Sequence, residues 1–89
     1  MKDGRHRVTF ARRSIRQIGE QLAEMNKLPG GWTRLETDAA ALVRAASQTT
    51  RSDDLYLIAG SLERRKTEAE QWLRNAVRNV STTLIQPGW

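Results

Sequence analysis

Residues 52–84 read SDDLYLIAGSLERRKTEAEQWLRNAVRNVSTTL, and this stretch decides the fold class because it is long, free of proline and periodically apolar. A serine followed by two aspartates favours a helix start, since acidic side chains are stabilised at the positive end of a helix. Apolar residues then recur every three or four positions, which is the spacing of one helix face. We therefore expect a helix over residues 53–84. The stripe consists of Leu55, Ile58, Ala59, Leu62, Ala69, Trp72, Leu73, Ala76 and Val80.

The stripe is interrupted by the basic run Arg64-Arg65-Lys66, which leaves two interpretations open. Thr67 and Glu70 have the spacing of a capping box, in which a hydroxyl and an acid three residues later start a helix. A break at this point would give two helices, whereas an unbroken helix of about 30 residues would be about 45 Å long. We favour one continuous helix, because residues 63–66 are all strong helix formers.

Two shorter helices are expected upstream, over residues 11–28 and 34–47. The first ends at the segment Pro29-Gly30-Gly31, since proline cannot continue a helix and glycine allows the chain to reverse. Thr33 and Glu36 predict a capping box at the start of the second. The first apolar stripe consists of Ala11, Ile15, Ile18, Leu22 and Met25, and the second of Leu35, Ala39, Leu42, Val43 and Ala46.

These patterns predict an all-α fold: a small bundle of three helices, or of four if the last one breaks. The 89 residues suffice for a single domain, residues 1–89, with a thin core that a homodimer would enlarge. Trp32 and Trp72 are interpreted as core residues. Residues 1–10 are expected to form a short basic arm or tail, because Gly4 and the scarcity of apolar side chains argue against packing.

The charge of the chain is concentrated in residues 1–16. This segment carries six basic residues against one acid, which accounts for the whole formal net charge of +5. The remaining residues carry nine basic and nine acidic side chains and are neutral overall. A basic segment attached to a neutral body is typical of contact with a polyanion. Five of the six cations are arginines, which bind phosphate through two parallel hydrogen bonds.

Several classes of function are disfavoured by composition. The chain has no cysteine and a single histidine, His6, so we expect no metal site and no cofactor. No serine has a histidine or lysine suited to activate it as a nucleophile, and we expect neither enzyme activity nor a small-molecule substrate. The longest apolar run, residues 55–59, is too short to span a membrane. The absence of cysteine and of a signal peptide predicts a cytoplasmic protein.

The order of elements from residue 5 to residue 46 resembles the ribbon-helix-helix family of DNA-binding proteins. The alternating segment Arg5-His6-Arg7-Val8-Thr9-Phe10 precedes a helix, and Gly31-Trp32-Thr33-Arg34-Leu35-Glu36 opens a second one. The resemblance implies that two chains pair these segments into a ribbon within the DNA major groove. It then assigns Arg5, Arg7 and Thr9 to the bases, and Thr33 with Arg34 to the phosphate backbone.

The sequence thus favours a non-catalytic module that binds nucleic acid, with DNA ahead of RNA because of the resemblance. A second basic patch is either a solvated helix face or a further contact with a polyanion. The alternatives are an adaptor, assembly subunit or inhibitor that binds an acidic protein surface, and a basic tail that only aids solubility. The nucleic-acid-binding candidates are Arg5, Arg7, Thr9, Arg12, Arg13, Arg16 and Arg34, and the second basic patch consists of Arg64, Arg65 and Lys66.

Overall fold

The computed structural model describes residues 4–85, with side chains described through residue 78, and these residues form three helices. Helix α1 spans Gly4–Glu24, α2 spans Trp32–Gln48 and α3 spans Ser52–Ile85. Gly4 lies against the start of α3, and α1 runs parallel to α3 and packs directly on it. Helix α2 runs antiparallel to both and packs against each of them. The molecule is elongated, with principal extents of 60 × 25 × 16 Å. The prediction of an all-α bundle of three helices is confirmed.

One hydrophobic core joins the three helices, and small residues let them approach closely. Ala11, Ala59 and Ala69 are completely buried, as are the larger Leu22 and Leu62. Leu42, Val43 and Trp72 pack against this core while remaining partly exposed. Most of the buried residues belong to the predicted stripes, so the helical periodicity identified the buried face of each helix. Val8 of α1 is buried without having been part of a predicted stripe. Val80, the last position predicted for the α3 stripe, lies beyond the side chains that the structure describes.

A glycine in α1 admits the indole of Trp32 between the helices. A Cβ atom placed on Gly19 would lie 2.5 Å from Cζ2 of Trp32, so only glycine fits here without displacement. Trp32 is buried, and its ring centroid is 6.1 Å from that of Trp72 on α3. The interpretation of Trp32 as a core residue is confirmed. The packing of Gly19 against Trp32 fixes the orientation of α1 at the end distant from Gly4.

The prediction of a basic arm over residues 1–10 is wrong for the residues that the structure describes. Residues 4–10 form the first two turns of α1, and residues 1–3 lie outside the described part of the chain. The physical reason is that Gly4 and Val8 extend the apolar stripe of Ala11 and Ile15 backwards, and both are buried. Gly4 packs so closely on α3 that a Cβ atom would lie 2.9 Å from Cβ of Leu55.

The ribbon strand that the resemblance implied is therefore not formed by residues 5–10. No strand occurs among residues 4–85. Because residues four apart share one side of a helix, Arg5 and Thr9 stay together, whereas Arg7 projects in another direction.

The first helix also ends earlier than expected, at Glu24 rather than at residue 28. Asn26 adopts a left-handed conformation with φ of 57°, which terminates α1 before the proline is reached. The amide of Lys27 donates a 2.8 Å hydrogen bond to the carbonyl of Leu22, as in a Schellman motif. Asparagine is one of the few residues that tolerate this conformation.

The predicted capping box at Thr33 is not formed. Helix α2 begins at Trp32, two residues before the start at residue 34 that the sequence predicted. Its N-cap residue is Gly31, which has no side chain to make a capping hydrogen bond. The amide of Trp32 instead donates a 3.1 Å bond to the carbonyl of Pro29. The tight turn at residues 29–31 thus supplies the partner, and burial of the Trp32 indole sets where α2 starts.

Helix α3 is continuous through residues 64–67, so the possible fourth helix is not formed. The hydroxyl of Thr67 donates a 3.0 Å bond to the carbonyl of Glu63, one turn earlier in the same helix. Lys66 pairs with Glu70 at 3.1 Å, an i, i+4 contact that stabilises a helix across this point. The preferred interpretation of a single long helix is confirmed.

Candidate nucleic-acid interface

One side of α1 carries most of the predicted nucleic-acid-binding residues. The α1 core side chains point toward α2 and α3, so positions offset by about half a turn face solvent. All members of this group are exposed. We call them the α1 stripe: Arg5, Thr9, Arg12, Arg13 and Arg16.

Helical spacing brings the later arginines of the stripe together. Arg12 and Arg16 are one turn apart, with backbones separated by about 6 Å along the axis. Arg13 lies three residues before Arg16, so it is also a helical neighbour. With Thr9, these three arginines line one shallow depression on the surface of α1.

The stripe borders an open groove between α1 and α2. Arg12 and Arg16 line its central part, opposite Glu36, Ala40 and Val43 of α2. Arg5 and Thr9 line its continuation toward the start of α1, opposite Ala46 and Ser47. Most of the α2 side chains along this groove are small, so the α1 guanidinium groups remain accessible from solvent.

Three arginines of the stripe have no partner among the residues that the structure describes. No hydrogen bond or ion pair holds Arg12, Arg13 or Arg16. Glu36 lines the same groove, yet it forms no ion pair with them within 4.0 Å. These guanidinium groups are therefore a local concentration of uncompensated positive charge, which attracts anions.

Arg7 is separated from the stripe and belongs to the contact between α1 and α3. Its Nε and terminal guanidinium nitrogen donate to the two carboxylate oxygens of Glu63 at 3.0 and 2.6 Å. The guanidinium also lies 5.5 Å from the ring centroid of Tyr56. This bidentate pairing raises the pKa of Arg7 and lowers the pKa of Glu63, because each hydrogen bond favours the charged form. Arg7 is thus already occupied within the chain.

Arg34 is also distant from the stripe, on the opposite side of α2. It lines a depression between α2 and α3 together with Asp38, Arg65, Glu68 and, at the base, Trp72. Two carboxylates share this depression with the two arginines, so its charge is balanced. The structure therefore does not bring Arg34 together with the other predicted nucleic-acid contacts.

The second basic patch of Arg64, Arg65 and Lys66 is dispersed around α3. Successive residues of a helix are rotated by about 100°, so three consecutive side chains point in three directions. Arg65 lies 3.6 Å from Asp38, and Lys66 lies 3.1 Å from Glu70. Arg64 donates to the hydroxyl of Ser61 at 3.2 Å, so every member of the patch has a partner.

Sequence reasoning missed the acidic partners that divide the cations into two classes. Only the pairing of Lys66 with Glu70 has a signal in the sequence, the i, i+4 spacing of opposite charges. The partners of Arg7 and Arg65 lie 56 and 27 positions away in the chain, and only the packing of the helices brings them together. Sequence reasoning also passed over Gln17, which is exposed on α1 one turn after Arg13.

Other kinds of site have little support in the described part of the chain. Residues 4–78 contain no cluster of histidine, aspartate or glutamate suited to hold a metal ion. None of the three described helices combines the length and apolar character needed to cross a membrane. Comparison of the chain with protein-family models, curated proteins and solved structures finds no match.

Proposed function

We propose that this chain is a non-catalytic binding module that contacts nucleic acid through the α1 stripe. The observation that carries the proposal is the exposure of Arg12, Arg13 and Arg16 on one side of a helix, without a carboxylate partner among the described residues. Arginine presents two parallel donors that match the oxygens of a phosphate group. A nucleic-acid backbone supplies such phosphates in a regular array.

The stripe lowers the stability of α1 when no anion is bound. Arg12 and Arg16 form a like-charged i, i+4 pair, and Arg13 and Arg16 form a like-charged i, i+3 pair. Such pairs destabilise a helix by about 0.2–0.5 kcal/mol each. A bound polyanion removes this repulsion, so the arrangement is better suited to a ligand-bound state than to an isolated helix. The chain contains no cysteine and fits a reducing compartment such as the cytoplasm.

Binding as a function of salt tests this proposal. Fluorescence anisotropy would measure the affinity of the full chain for a mixed-sequence labelled DNA duplex and an RNA strand at several salt concentrations. We expect the affinity to fall steeply with salt. The variant Arg12→Gln/Arg13→Gln/Arg16→Gln removes three phosphate contacts, so its log–log salt slope should be shallower by about 2.7.

A matched control removes the same number of charges from α3. The variant Arg64→Gln/Arg65→Gln/Lys66→Gln has the same net charge as the α1 variant but keeps the stripe. We expect its affinity to stay within about threefold of the wild-type value. Equal losses for both variants would show that only net charge matters, and no binding by the wild-type chain at low salt would refute the proposal.

A protein-interaction module is the second candidate, and a different surface favours it. Phe10, Tyr56 and Val77 are each about half exposed. Cations on the α1–α3 side cover two of these rings at 5.5 Å, Lys66 over Phe10 and Arg7 over Tyr56. Aromatic residues next to arginine are typical of protein interfaces. If the chain does not bind nucleic acid, the test is whether a protein partner co-purifies with it. The variant Phe10→Ser/Tyr56→Ser should abolish this co-purification. Leu57→Ser, at another exposed site, is the control and should leave it unchanged.

A further inference from the structure

We infer that the ligand of the α1 stripe is duplex DNA, and that the ridge formed by Thr9, Arg13 and Gln17 enters its major groove. This inference rests on the proposed function and specifies the form of nucleic acid. The three ridge residues are spaced four apart on α1 and all are exposed. Arg12 and Arg16 flank the ridge on the side of α2, where they can contact phosphates at the edge of the groove.

None of the α1 stripe residues is aromatic, so the stripe itself offers no ring on which an unpaired base could stack. Phe10 is half exposed and lies three residues before Arg13 on α1, but Lys66 of α3 covers its ring at 5.5 Å. Tyr56 lies beside Arg7 on the α1–α3 side. Trp32 is buried, and Trp72 lines the depression on the far side of α2. Proteins that bind single strands obtain much of their affinity from stacking on aromatic rings. The α1 stripe and Gln17 offer guanidinium groups, a hydroxyl and an amide, which suit phosphates and the edges of paired bases.

The shape and rigidity of α1 also favour duplex DNA. The inward face of α1 is anchored by Val8, Ile15 and Leu22, so its outward face is a fixed array. An α-helix with its side chains is about 10–12 Å across, and the DNA major groove is about 12 Å wide. The major groove of double-stranded RNA is too deep and narrow for protein side chains to reach the base edges. A single helix edge therefore fits duplex DNA better than duplex RNA.

The side chains along the ridge are also suited to contact the edges of paired bases. The side chains of Thr9 and Gln17 are uncharged and have no hydrogen-bond partner among the described residues. A glutamine amide can donate to and accept from adenine, an arginine can donate twice to guanine, and a threonine methyl can contact thymine. The acids Glu20 and Glu24 follow on the same helix, so the basic footprint is limited to the first four turns of α1. The ridge therefore places base-reading groups between phosphate-binding ones.

The test compares three ligands of one sequence: duplex DNA, its single strand, and the corresponding RNA duplex. The full chain would be titrated against each at the same salt concentration. We expect duplex DNA to bind at least about tenfold more tightly than either of the others. Binding of the single strand or the RNA duplex within about threefold of duplex DNA would overturn the inference. In that case the proposed function stands if the α1 arginine variant still loses its salt-dependent binding.

The ridge itself is tested by selecting preferred sites from a randomised DNA pool. The variant Thr9→Ala/Gln17→Ala keeps every arginine, and Gln21→Ala, one turn further along α1, is its control. We expect the double variant to lose about tenfold in affinity for the selected site while non-specific duplex binding is unchanged. An unchanged preference in the double variant, or a preference lost equally in the control, would show that this ridge does not enter the groove.

Discussion

Helix α1 and helix α3 each carry three basic residues within a short segment, yet the two sets differ in their surroundings. Arg12, Arg13 and Arg16 are exposed on neighbouring parts of one helix face without acidic partners among the described residues. The consecutive residues 64–66 point in different directions, and each has a partner. The comparison teaches that adjacency in sequence does not create a basic surface on a helix. A basic surface forms where helical spacing places cations on one side of the helix and no carboxylate lies close enough to pair with them.

The largest expected effect comes from reversing charge in the two regions. Arg13→Glu/Arg16→Glu should weaken DNA binding by about 10³-fold, because it removes two cationic contacts with DNA and adds two repulsive charges. Arg64→Glu/Arg65→Glu makes the same change in net charge on α3 and should weaken binding less than about fivefold. Anisotropy titrations at one fixed salt concentration measure both. Comparable losses in the two variants would break the distinction between the regions.

Stability distinguishes the same two helices through their glycines. Gly19→Ala places a Cβ atom 2.5 Å from Trp32 and should destabilise the protein by about 1–3 kcal/mol through overpacking. Gly60→Ala on α3 meets no atom within 4 Å and should stabilise it by about 0.5–1 kcal/mol, since alanine is the better helix former. Urea denaturation followed by circular dichroism measures both changes. A stabilising effect of Gly19→Ala would show that α1 is not held against Trp32.

A smaller effect should follow from releasing the paired cations of α3. Asp38→Asn and Glu70→Gln remove the partners of Arg65 and Lys66 and raise the formal net charge by two units. We expect DNA affinity to rise by about two- to threefold, and stability to fall by less than about 1 kcal/mol because these pairs are partly exposed to solvent. Affinity measurements with the intact stripe make this comparison. A rise of about tenfold or more would mean that α3 is a latent binding surface equal to α1.

The smallest effect concerns pH and the pair of Arg7 with Glu63. The pKa of Glu63 is lowered in the folded protein, so the unfolded state binds a proton more readily. The contribution of this pair to stability is present above the ordinary glutamate pKa and is lost as the pH falls through the lowered value. We expect Glu63→Gln to reduce the acid dependence of the melting temperature. An unchanged acid dependence would show that the pair does not contribute to folding, and DNA binding at neutral pH should be unaffected.

The helical core could be read from the sequence, because periodic apolar residues report directly which face of a helix is buried. The continuity of α3 through residues 64–67 also followed from helix propensity. The start of α1 did not, since glycine disfavours helices in isolation and the close contact of Gly4 with Leu55 depends on the packing of α1 against α3. The end of α1 at Glu24 depended on Asn26 in a left-handed conformation, whereas the sequence pattern predicted that end at the later Pro29.

The candidate site was predictable in composition but not in arrangement. The excess of arginine in residues 1–16 marked a basic region, but the sequence divided it between an arm and a helix starting at residue 11. The structure places residues 4–16 together in α1. Treating residues 5–10 as extended, however, grouped Arg7 with Arg5 and Thr9, whereas in the helix Arg7 faces α3 and binds Glu63. Tertiary pairing of this kind has no local signature. A helical wheel that includes all of α1 from Gly4 separates Arg7 from Arg12 and Arg16.

The most direct test is a two-dimensional amide and guanidinium NMR spectrum of the full chain during titration with a DNA duplex. The central claim is that binding depends on the unpaired cations of α1 and not on the paired cations of α3. We expect the signals of Arg12, Arg13 and Arg16 to shift with increasing DNA, while those of Arg64 and Arg65 stay in place. Shifts centred on residues 64–66, or equal shifts in both helices, would contradict the account.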